Sequence, residues 1–417
     1  MNTGDTKNNI QLLVLADDLT GAVDTGIQFT SYGADVKVLV CETVTADVFS
    51  GLFAEVLVID LETRHGSKEN AYRAVHQAVS AAVKANILYV YIKTDSCLRG
   101  NIEGSLTAAL HAGNISFLPF IPAYPKLHRV TKKGIHYVEG VRIHESIFGK
   151  DPFDPVVSSK VRDLFCMSAV TVYEFFDAPY LTLEKKNAIG IFDASTTEDM
   201  KSIAAHLFEN HELFITAGCA GFAEVLSSFF SFQKKNKNIP VLPKNIFAVC
   251  GSLHQVSKKQ LSYAKEQLEF FGISLTAKEQ LLYNEEVGAA LLTLLQSKDY
   301  AFLDTGRADA KEKLQLIEAL SLSPEAVRVR ISEALGDVVL FFWKSGFFKN
   351  RLLFIIGGDT LLQIVKRLKG TYLFPIKELL PGVVLSGIRV ENQDFFFVSK
   401  SGGFGDVDFF EKIREIL

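Results

Sequence analysis

The feature that most constrains the fold is a regular alternation of short apolar runs and helical stretches over residues 11–122. Runs of β-prone residues occupy positions 12–16, 36–40, 56–60, 87–92 and 116–121. Stretches with helical spacing of apolar residues lie between them, most clearly at 68–85 and 102–112. This alternation predicts a parallel sheet with helices on both faces, because parallel neighbours need a long crossover connection.

The same pattern resumes later in the chain and predicts a second α/β unit. A strand at 246–250 is followed by a helix at 255–271, and further strands are expected at 300–304, 352–356, 383–390 and 395–400. The stretch 232–245 is basic, polar and proline-containing, which is typical of an interdomain linker. Since 417 residues exceed one ordinary core, we expect an α/β protein of two domains, 1–231 and 246–417, each a mainly parallel sheet flanked by helices.

Residues 122–155 interrupt the alternation with prolines, glycines and basic residues. Aromatic residues and the alternation within 135–143 indicate an ordered but irregular insertion that contains a hairpin. His128, His136 and His144 recur every eight residues, which raises the question of a metal site. No carboxylate or cysteine accompanies them at ligand spacing, so we expect no metal ion held by these histidines.

Charge and cysteine content exclude several classes of protein. The net charge of −4 provides no basic excess, so nucleic acid is not expected as a partner. The five cysteines include no CxxC pair, which argues against a zinc site and a disulfide framework. No run of about 18 apolar residues occurs, and the beginning MNTGDTKNN lacks the apolar centre of a signal peptide. We therefore expect no membrane partner and a cytoplasmic location.

Two adjacent carboxylates, Asp17 and Asp18, directly follow the first predicted strand, and Thr20-Gly21 begins a predicted helix. Ligands of open parallel sheets bind at the carboxyl ends of strands, which is where this pair lies. Because alternate residues of a strand face opposite sides, we do not expect both carboxylates to point into one pocket in the same way. An aspartate before a helix also commonly caps it, so a capping role and a ligand role both remain open.

A second polar cluster, KTDSCLRGN at 93–101, follows the predicted strand at 87–92. Arginine presents a forked set of donors suited to a carboxylate, lysine supplies a mobile charge, and aspartate accepts from hydroxyl groups. These groups suit a small hydroxylated acid, although a solvated turn with internal ion pairs would contain the same residues. We favour a binding role, because this cluster and Asp17–Asp18 are expected to converge on one edge of the sheet.

Glycine clusters follow predicted strands in the second half of the chain. They are Gly251-Ser252, IIGGDT at 355–360 and SKSGGFG at 399–405. Glycine lets backbone N–H groups approach an anion, and a following helix contributes the partial positive charge of its N-terminus. Each cluster alone is also compatible with an ordinary turn, but together they favour a phosphate-binding domain. The chain has no GxxxxGK[ST] loop, GxGxxG fingerprint, GxSxG elbow or HExxH pair.

Taken together, these motifs resemble the four-carbon acid sugar kinases. The resemblance rests on ADDLTGAVDTG at 16–26, KTDSCLRGN at 93–101, PAYP at 122–125 with Arg129 and HYVEG at 136–140, GGDT at 357–360 and KSGGFG at 400–405. It implies an N-terminal sugar-acid-binding domain, a C-terminal nucleotide-binding domain, and ATP-dependent phosphorylation of the terminal hydroxyl of a threonate, erythronate or oxo-tetronate. Two positions depart from the family pattern: Cys97 replaces the usual threonine, and 126–128 lacks the usual glycine before Arg129.

The resemblance also implies roles for individual residues. Those expected to face the sugar acid are Asp17, Asp18, Lys93, Asp95, Arg99 and Arg129. Those expected to face ATP are Ser252, Gly357, Gly358, Asp359, Thr360, Gly402 and Gly403. Our hypothesis is that Arg99 and Lys93 hold the substrate carboxylate while Asp18 or Asp95 acts as the catalytic carboxylate that orients the hydroxyl. Mg²⁺ would accompany the triphosphate, and Asp359 is a rival for the catalytic carboxylate.

Two other functions compete with that of a kinase. One is a nucleotide-dependent sugar-acid oxidoreductase, which the missing GxGxxG fingerprint argues against. The other is a non-catalytic two-domain sugar-acid sensor, which would leave the glycine-rich second domain without a purpose. The expected partners are therefore a small sugar acid and ATP, and the sequence leaves a homodimer open.

Overall fold

The computed structural model describes residues 9–50, 52–151, 154–167, 169–177, 185–233, 239–306 and 309–417. The chain divides into two compact units, Met1–Asn236 and Lys237–Leu417. Part of the predicted linker, residues 234–238, and residues 152–153 of the predicted insertion lie outside the described residues.

Unit 1 is built from alternating strands and helices. Its described strands are β1 (Leu12–Ala16), β2 (Val36–Val40), β3 (Val56–Asp60), β4 (Tyr89–Lys93), β5 (Phe117–Ile121), β6 (Arg129–Lys132), β7 (Ile135–Val138), β8 (Val141–Arg142), β9 (Thr171–Phe175), β10 (Ala188–Phe192) and β11 (Ile215–Gly218). Its described α-helices are α1 (Leu19–Ser31), α2 (Lys68–Lys84), α3 (Ile102–Ala112), α4 (Thr197–Glu209) and α5 (Ala220–Leu226). Short 3₁₀ helices are Ala46–Phe49, Pro125–Leu127, Ile143–Glu145, Ile147–Lys150, Val161–Phe165 and Ser227–Phe229.

The main sheet of unit 1 has the strand order β2-β3-β1-β4-β11-β5-β10-β9. All its described pairings are parallel. The central strand β1 is buried along its whole length, because helices cover both faces and leave no polar side. The predicted strands at 12–16, 36–40 and 56–60 are confirmed at those residues, whereas β9 was not predicted.

The insertion is ordered over its described residues, 122–151 and 154–155, as the sequence predicted. Strands β6, β7 and β8 form a separate antiparallel sheet, with Arg129 opposite Val138 and Tyr137 opposite Arg142. This small sheet is tied to the rest of unit 1 by two-way backbone hydrogen bonds between Thr131 and Ala194. The insertion therefore has a fixed position over the polar loop that follows β4.

Unit 2 is a second layered α/β unit. Its described strands are β12 (Asn245–Cys250), β13 (Phe271–Ser274), β14 (Tyr300–Asp304), β15 (Arg351–Ile356), β16 (Leu373–Leu380), β17 (Val383–Val390) and β18 (Gln393–Lys400). Its described helices are α6 (Gln255–Gln267), α7 (Ala277–Leu281), α8 (Glu285–Leu295), α9 (Ala310–Ala319), α10 (Pro324–Lys344), α11 (Gly358–Leu368) and α12 (Phe409–Ile416), with a 3₁₀ helix at Phe347–Asn350.

Strands β13, β14, β12, β15 and β18 run parallel, in that order, and β17 and β16 continue the sheet as an antiparallel meander. The prediction of two α/β domains with mainly parallel sheets is thus confirmed. The single helix predicted at 255–271 is wrong, because α6 ends at Gln267 and Phe271 begins β13. Glu269 adopts a left-handed backbone conformation (φ 59°), which turns the chain out of the helix and into the sheet.

Candidate active site

Three strands of unit 1 end in register and bring their following loops together. Ala16 at the end of β1 lies opposite Asp60 of β3 and Lys93 of β4. The loops after these strands carry Asp17–Asp18, Arg64 and the 93–101 cluster. The side-chain amide of Asn101 donates to the carbonyls of Thr63 and Gly66, both at 2.8 Å, and so ties the loop after β4 to the loop after β3.

Arg64, which sequence reasoning missed, lies at the centre of this edge. Its guanidinium donates to both oxygens of Asp17 (2.8 and 2.9 Å) and to both oxygens of Asp18 (2.6 and 2.8 Å). It also lies 3.8 Å from Asp95, and its own side chain is only 10% exposed. Asp17 and Asp18 therefore bind the same guanidinium, and they differ in that only Asp18 also caps α1. The strand ends at Ala16, so the alternation of side chains does not extend to these two residues.

Asp18 serves as a helix cap and an ion-pair partner at once. One oxygen accepts from the backbone N–H of Gly21 at 3.0 Å, and the other accepts from the Thr20 hydroxyl at 2.6 Å. Together with the two bonds from Arg64, each oxygen of Asp18 accepts two hydrogen bonds, which uses all its lone pairs. A side chain on Gly21 would collide with Asp18 and with the Lys93 ammonium, which explains the glycine here.

Asp95 holds the loop after β4 together. Its Oδ2 accepts from Nε of Arg99 at 2.8 Å and from the backbone N–H groups of Cys97 and Arg99, both at 3.3 Å. Its Oδ1 accepts from Nη2 of Arg99 at 3.2 Å and, among the described residues, forms no other hydrogen bond. The cluster at 93–101 thus contains the internal ion pair of an ordered turn, and Asp95 still keeps one oxygen with accepting capacity.

The electrostatics of the cluster separate its three carboxylates. Burial opposes charge on Asp18, but the cations of Arg64 and Lys93 outweigh it and lower the pKa of that carboxyl. Burial likewise opposes charge on Asp95, yet Arg99 and Arg64 hold its pKa well below the usual range. Burial raises the pKa of Asp17 against the pull of Arg64. Asp18 and Asp95 are therefore ionised at neutral pH and act as hydrogen-bond acceptors.

The insertion forms a wall beside this cluster. Asp151 lies 3.4 Å from Nη1 of Arg99, and Asp154 accepts from the backbone N–H of Gly100 at 2.6 Å. The guanidinium groups of Arg99 and Arg129 lie 5.4 and 5.8 Å from the centre of the Phe148 ring. Arg129 also donates to the Ser96 hydroxyl. The structure thus brings Arg129 to the loop after β4, which also carries Asp95 and Arg99.

His136 of the insertion and Cys97 are buried in the interior of unit 1. His136 is fully buried and bonds the Ser96 carbonyl at 3.0 Å and the Thr131 hydroxyl at 2.9 Å. Burial lowers the pKa of His136 to about 4, so its ring is neutral at physiological pH. Burial raises the pKa of Cys97 to about 12, which keeps the thiol protonated. Within the described ranges, no group of three or more His, Cys, Asp or Glu side chains is placed to hold a metal ion.

The three glycine clusters of unit 2 follow three adjacent parallel strands that end together. Cys250 of β12 pairs with Ile356 of β15, and Ile356 pairs with Lys400 of β18. The loops touch one another: a side chain on Gly402 would collide with the Ser252 hydroxyl, and one on Gly251 would collide with Thr360. All the predicted nucleotide residues therefore converge on one edge of the unit 2 sheet.

The loop at the start of α11 has the features of an anion site. Gly357 has a φ of +116°, which other residues rarely adopt, and α11 has no side-chain cap at its N-terminus. Thr360 is 1% exposed, and in the part of the chain that the structure describes its hydroxyl forms no hydrogen bond. That hydroxyl lies 3.4 Å from the position a Cβ of Gly357 would occupy. Unpaired N–H groups and a hydroxyl thus meet where the helix dipole favours an anion.

The loop after β18 turns its carbonyl groups towards the protein. The side-chain amide of Gln260 donates to the carbonyls of Phe404, Gly405 and Asp406 at 2.9–3.0 Å. Ser257 donates to the Gly402 carbonyl at 2.7 Å, and the Lys400 ammonium donates to the Ser401 and Phe404 carbonyls at 3.0 and 3.1 Å. Burial lowers the pKa of Lys400 to about 8. The N–H of a peptide unit points away from the carbonyl of the same unit. The N–H groups of these loop units therefore point away from the side chains that bind their carbonyls.

Comparisons with known proteins agree with this division of the chain. A family model described as a sugar-binding N-terminal domain matches residues 12–226, and one described as a nucleotide-binding C-terminal domain matches residues 247–410. The chain is 29% identical to a D-threonate kinase of Salmonella typhimurium, over 95% of this chain and 96% of the relative. It is 22% identical to a D-erythronate kinase of Heliobacterium modesticaldum, over 89% and 88% of the two chains.

A solved structure of a Salmonella typhimurium LT2 protein has the same fold. It superposes with a TM-score of 0.76, at 20% identity, over 96% of this chain and 98% of that one. In the described ranges, no helix is both long enough and apolar enough to cross a membrane.

Proposed function

The chain belongs to the four-carbon acid sugar kinase family, and we propose that it transfers the γ-phosphoryl group of ATP to the terminal hydroxyl of a threonate-type four-carbon acid. The observation that carries this proposal is the convergence of three glycine loops on one sheet edge of unit 2. Unit 1 has a quite different edge, where cations and carboxylates alternate. An anion site and a polar acid site on separate units fit a reaction with two substrates.

In unit 1, Lys93 is the cation best suited to the carboxylate of the acid. Arg64 is bound by Asp17 and Asp18, and Arg99 is bound by Asp95 and Asp151. Lys93 is 5% exposed and, among the described residues, is held by neither a hydrogen bond nor an ion pair. Its ammonium lies beside Asp18 and favours the charged form of that carboxyl, but it keeps its hydrogen-bond donors for an incoming carboxylate.

Asp95 is placed to orient the attacking hydroxyl, and Asp18 supports the site electrostatically. The Oδ1 atom of Asp95 has accepting capacity left, whereas both oxygens of Asp18 are filled. Phosphoryl transfer proceeds through a loose transition state, so positioning the hydroxyl matters more than the strength of a base. An ionised carboxylate with a lowered pKa is adequate for that task.

In unit 2, the N–H groups at the start of α11, the Thr360 hydroxyl and Ser252 would bind the phosphates of ATP. Kinases hold Mg²⁺ through one or two carboxylates together with the substrate phosphates. Asp359, in the first turn of α11 with a side chain 40% exposed, is the carboxylate that fits this role. Mg²⁺ would neutralise negative charge on the phosphates of ATP, and the loop at the start of α11 would fix their position.

The proposal is tested by measuring ADP release from Mg·ATP with a panel of four-carbon acids. The panel contains both threonates, both erythronates and their oxo derivatives. We expect strong turnover with a threonate, and Asp95→Asn should abolish most of it. Glu198→Gln, whose side chain is 77% exposed on α4, serves as the matched control and should behave as wild type.

The outcomes of this experiment separate the parts of the proposal. Turnover with an erythronate or an oxo acid alone would keep the kinase and correct the substrate. Silence with the whole panel, while ATP still raises the melting temperature, would place the substrate outside this set. Silence without any effect of ATP on melting would refute the kinase assignment.

A further inference from the structure

Helices α10 and α11 of unit 2 pack closely and are joined by two sets of ion pairs. Gly336 of α10 lies so near α11 that a Cβ there would be 3.1 Å from the Gln363 carbonyl. Arg328 of α10 lies 2.5 Å from Asp359, in the first turn of α11. Arg367, in the last turn of α11, lies 2.6 Å from Asp337 of α10.

The two arginines are alike in chemistry but differ in position. Arg367 is 29% exposed and lies far along α11 from the glycine loop. The Arg328 side chain is 16% exposed, and its guanidinium reaches Asp359, which follows Gly357 and Gly358 directly. Arg328 is in addition held at 2.6 Å by Glu325, one turn earlier on its own helix.

Asp359 creates an electrostatic problem for an anion at this place. The N-terminus of α11 attracts phosphate, but a carboxylate in its first turn repels it at short range. Arg328 reduces that repulsion, because its guanidinium forms a charge-assisted hydrogen bond with the same carboxylate, while its second partner, Glu325, is 62% exposed and screened by solvent. With this contact in place the loop presents N–H groups and a neutralised Asp359 to an incoming polyphosphate.

We propose that Arg328 is a positioning residue of the nucleotide site, which neutralises Asp359 and so keeps the start of α11 open to a polyphosphate. The inference rests on the proposed function, since it assumes that the glycine loops bind a nucleotide. The competing explanation is that Arg328 only stabilises the packing of α10 against α11, as Arg367 does.

The test measures the Kd of ADP by titration calorimetry in EDTA, so that no divalent ion contributes. We expect Arg328→Ala to raise the Kd of ADP by about tenfold, because the charge-assisted hydrogen bond that neutralises Asp359 beside the anion is lost. Arg328→Lys retains the charge and should recover part of the affinity. Arg367→Ala breaks the matched ion pair and should change the Kd by less than about twofold, even if its melting temperature falls equally.

A second variant tests neutralisation itself. Asp359→Asn removes the negative charge, so the single variant should bind ADP in EDTA at least as tightly as wild type. In combination with Arg328→Ala it should restore the lost affinity. Failure of this rescue, or a Kd for Arg328→Ala that equals that of Arg367→Ala, would overturn the inference.

Wild-type behaviour distinguishes this inference from the function on which it rests. If the wild-type protein binds no ADP, the nucleotide site itself is refuted. If wild type binds ADP and Arg328→Ala binds it equally well, only the role of Arg328 is refuted. Should Arg328→Ala fail to fold, the Asp359→Asn single variant still decides, because weaker binding by that variant contradicts neutralisation.

Discussion

Replacing Arg64 with alanine should destabilise unit 1 far more than replacing an exposed arginine. Arg64 makes four hydrogen bonds of 2.6–2.9 Å to two carboxylates, and the side chains of Arg64, Asp17 and Asp18 are 10%, 12% and 16% exposed. The substitution leaves those two carboxylates without their main counter-ion in a buried site. Breaking a buried ion pair from one side costs about 3–5 kcal/mol.

That free energy corresponds to a large change in melting temperature. For a unit of this size each kcal/mol shifts the midpoint by about 2–4 °C, so a fall of about 6–20 °C is expected. Arg162 offers a matched control in the same unit, since it pairs with Glu174 at 3.4 Å and is 60% exposed. Arg162→Ala should cost less than about 1 kcal/mol, because water already solvates that pair.

The difference between wild type and Arg64→Ala should also depend on pH. In wild type the lowered pKa values of Asp18 and Asp95 contribute stability that is present above their unfolded value of 3.8 and is lost as pH falls through the folded values. Without Arg64, burial is no longer opposed by that cation, so the pKa of Asp18 should rise. Lowering the pH then neutralises the stranded carboxylates in the variant while it weakens the ion pair in wild type, and the two melting temperatures should converge.

The assay is thermal unfolding of wild type, Arg64→Ala and Arg162→Ala, followed by circular dichroism at neutral pH and near the carboxylate pKa. Arg64→Lys, which keeps the charge but loses the forked geometry, should fall between wild type and alanine. A loss for Arg64→Ala no larger than that for Arg162→Ala would refute the buried-cluster argument. A gap that widens as the pH falls would refute the assignment of the ionised carboxylates.

Three further outcomes follow from the geometry of the two sites. Asp95→Asn should lower kcat by about 10²-fold or more. Asp18→Asn should lower kcat less, since asparagine keeps the oxygen that caps α1. Steady-state kinetics with the best acid compares the two variants, and equal losses of kcat would contradict the ranking of Asp95 above Asp18. Gly402→Ala should raise KM for ATP with little effect on KM for the acid, because the new methyl group would displace the Ser252 hydroxyl; an unchanged KM for ATP would separate this loop from the nucleotide. Cys97 should resist maleimide in the native protein, because burial raises its pKa to about 12, whereas the exposed Cys166 should react; mass spectrometry of labelled peptides would detect the opposite result.

Much of unit 1 could be predicted because the strands β1, β3 and β5 are buried on both faces. Such strands appear in the sequence as continuous apolar runs, and the residues that follow them necessarily meet at one sheet edge. The positions of the apolar runs therefore suffice to bring Asp17, Asp18 and the 93–101 cluster to the same edge. The same rule would have found Arg64, which lies four residues after the apolar run at 56–60, but a lone arginine in ETRH carries no motif of its own.

The features that sequence reasoning missed depend on contacts between distant residues. The strand β9 at Thr171–Phe175 is half exposed and lies on the sheet edge, so it lacks a continuous apolar run. Gln260 looks like any polar residue of a surface helix, yet it is fully buried and holds three carbonyls of a loop about 145 residues away. The spacing of residues along the chain does not predict such contacts between distant residues.

The ranking of the catalytic carboxylates shows most clearly what the structure adds to the motif. The sequence treats Asp18 and Asp95 as equivalent, because both follow strands at the same edge. Hydrogen-bond counting separates them: the helix cap, Thr20 and Arg64 fill the oxygens of Asp18, while one oxygen of Asp95 bonds only Arg99 among the described residues. An acceptor whose lone pairs are filled cannot orient a hydroxyl without first losing a bond, and each such loss in a buried site costs about 1–3 kcal/mol. We therefore expect Asp95 to contact the acceptor hydroxyl, with Asp18 and Arg64 fixing the edge on which the acid binds.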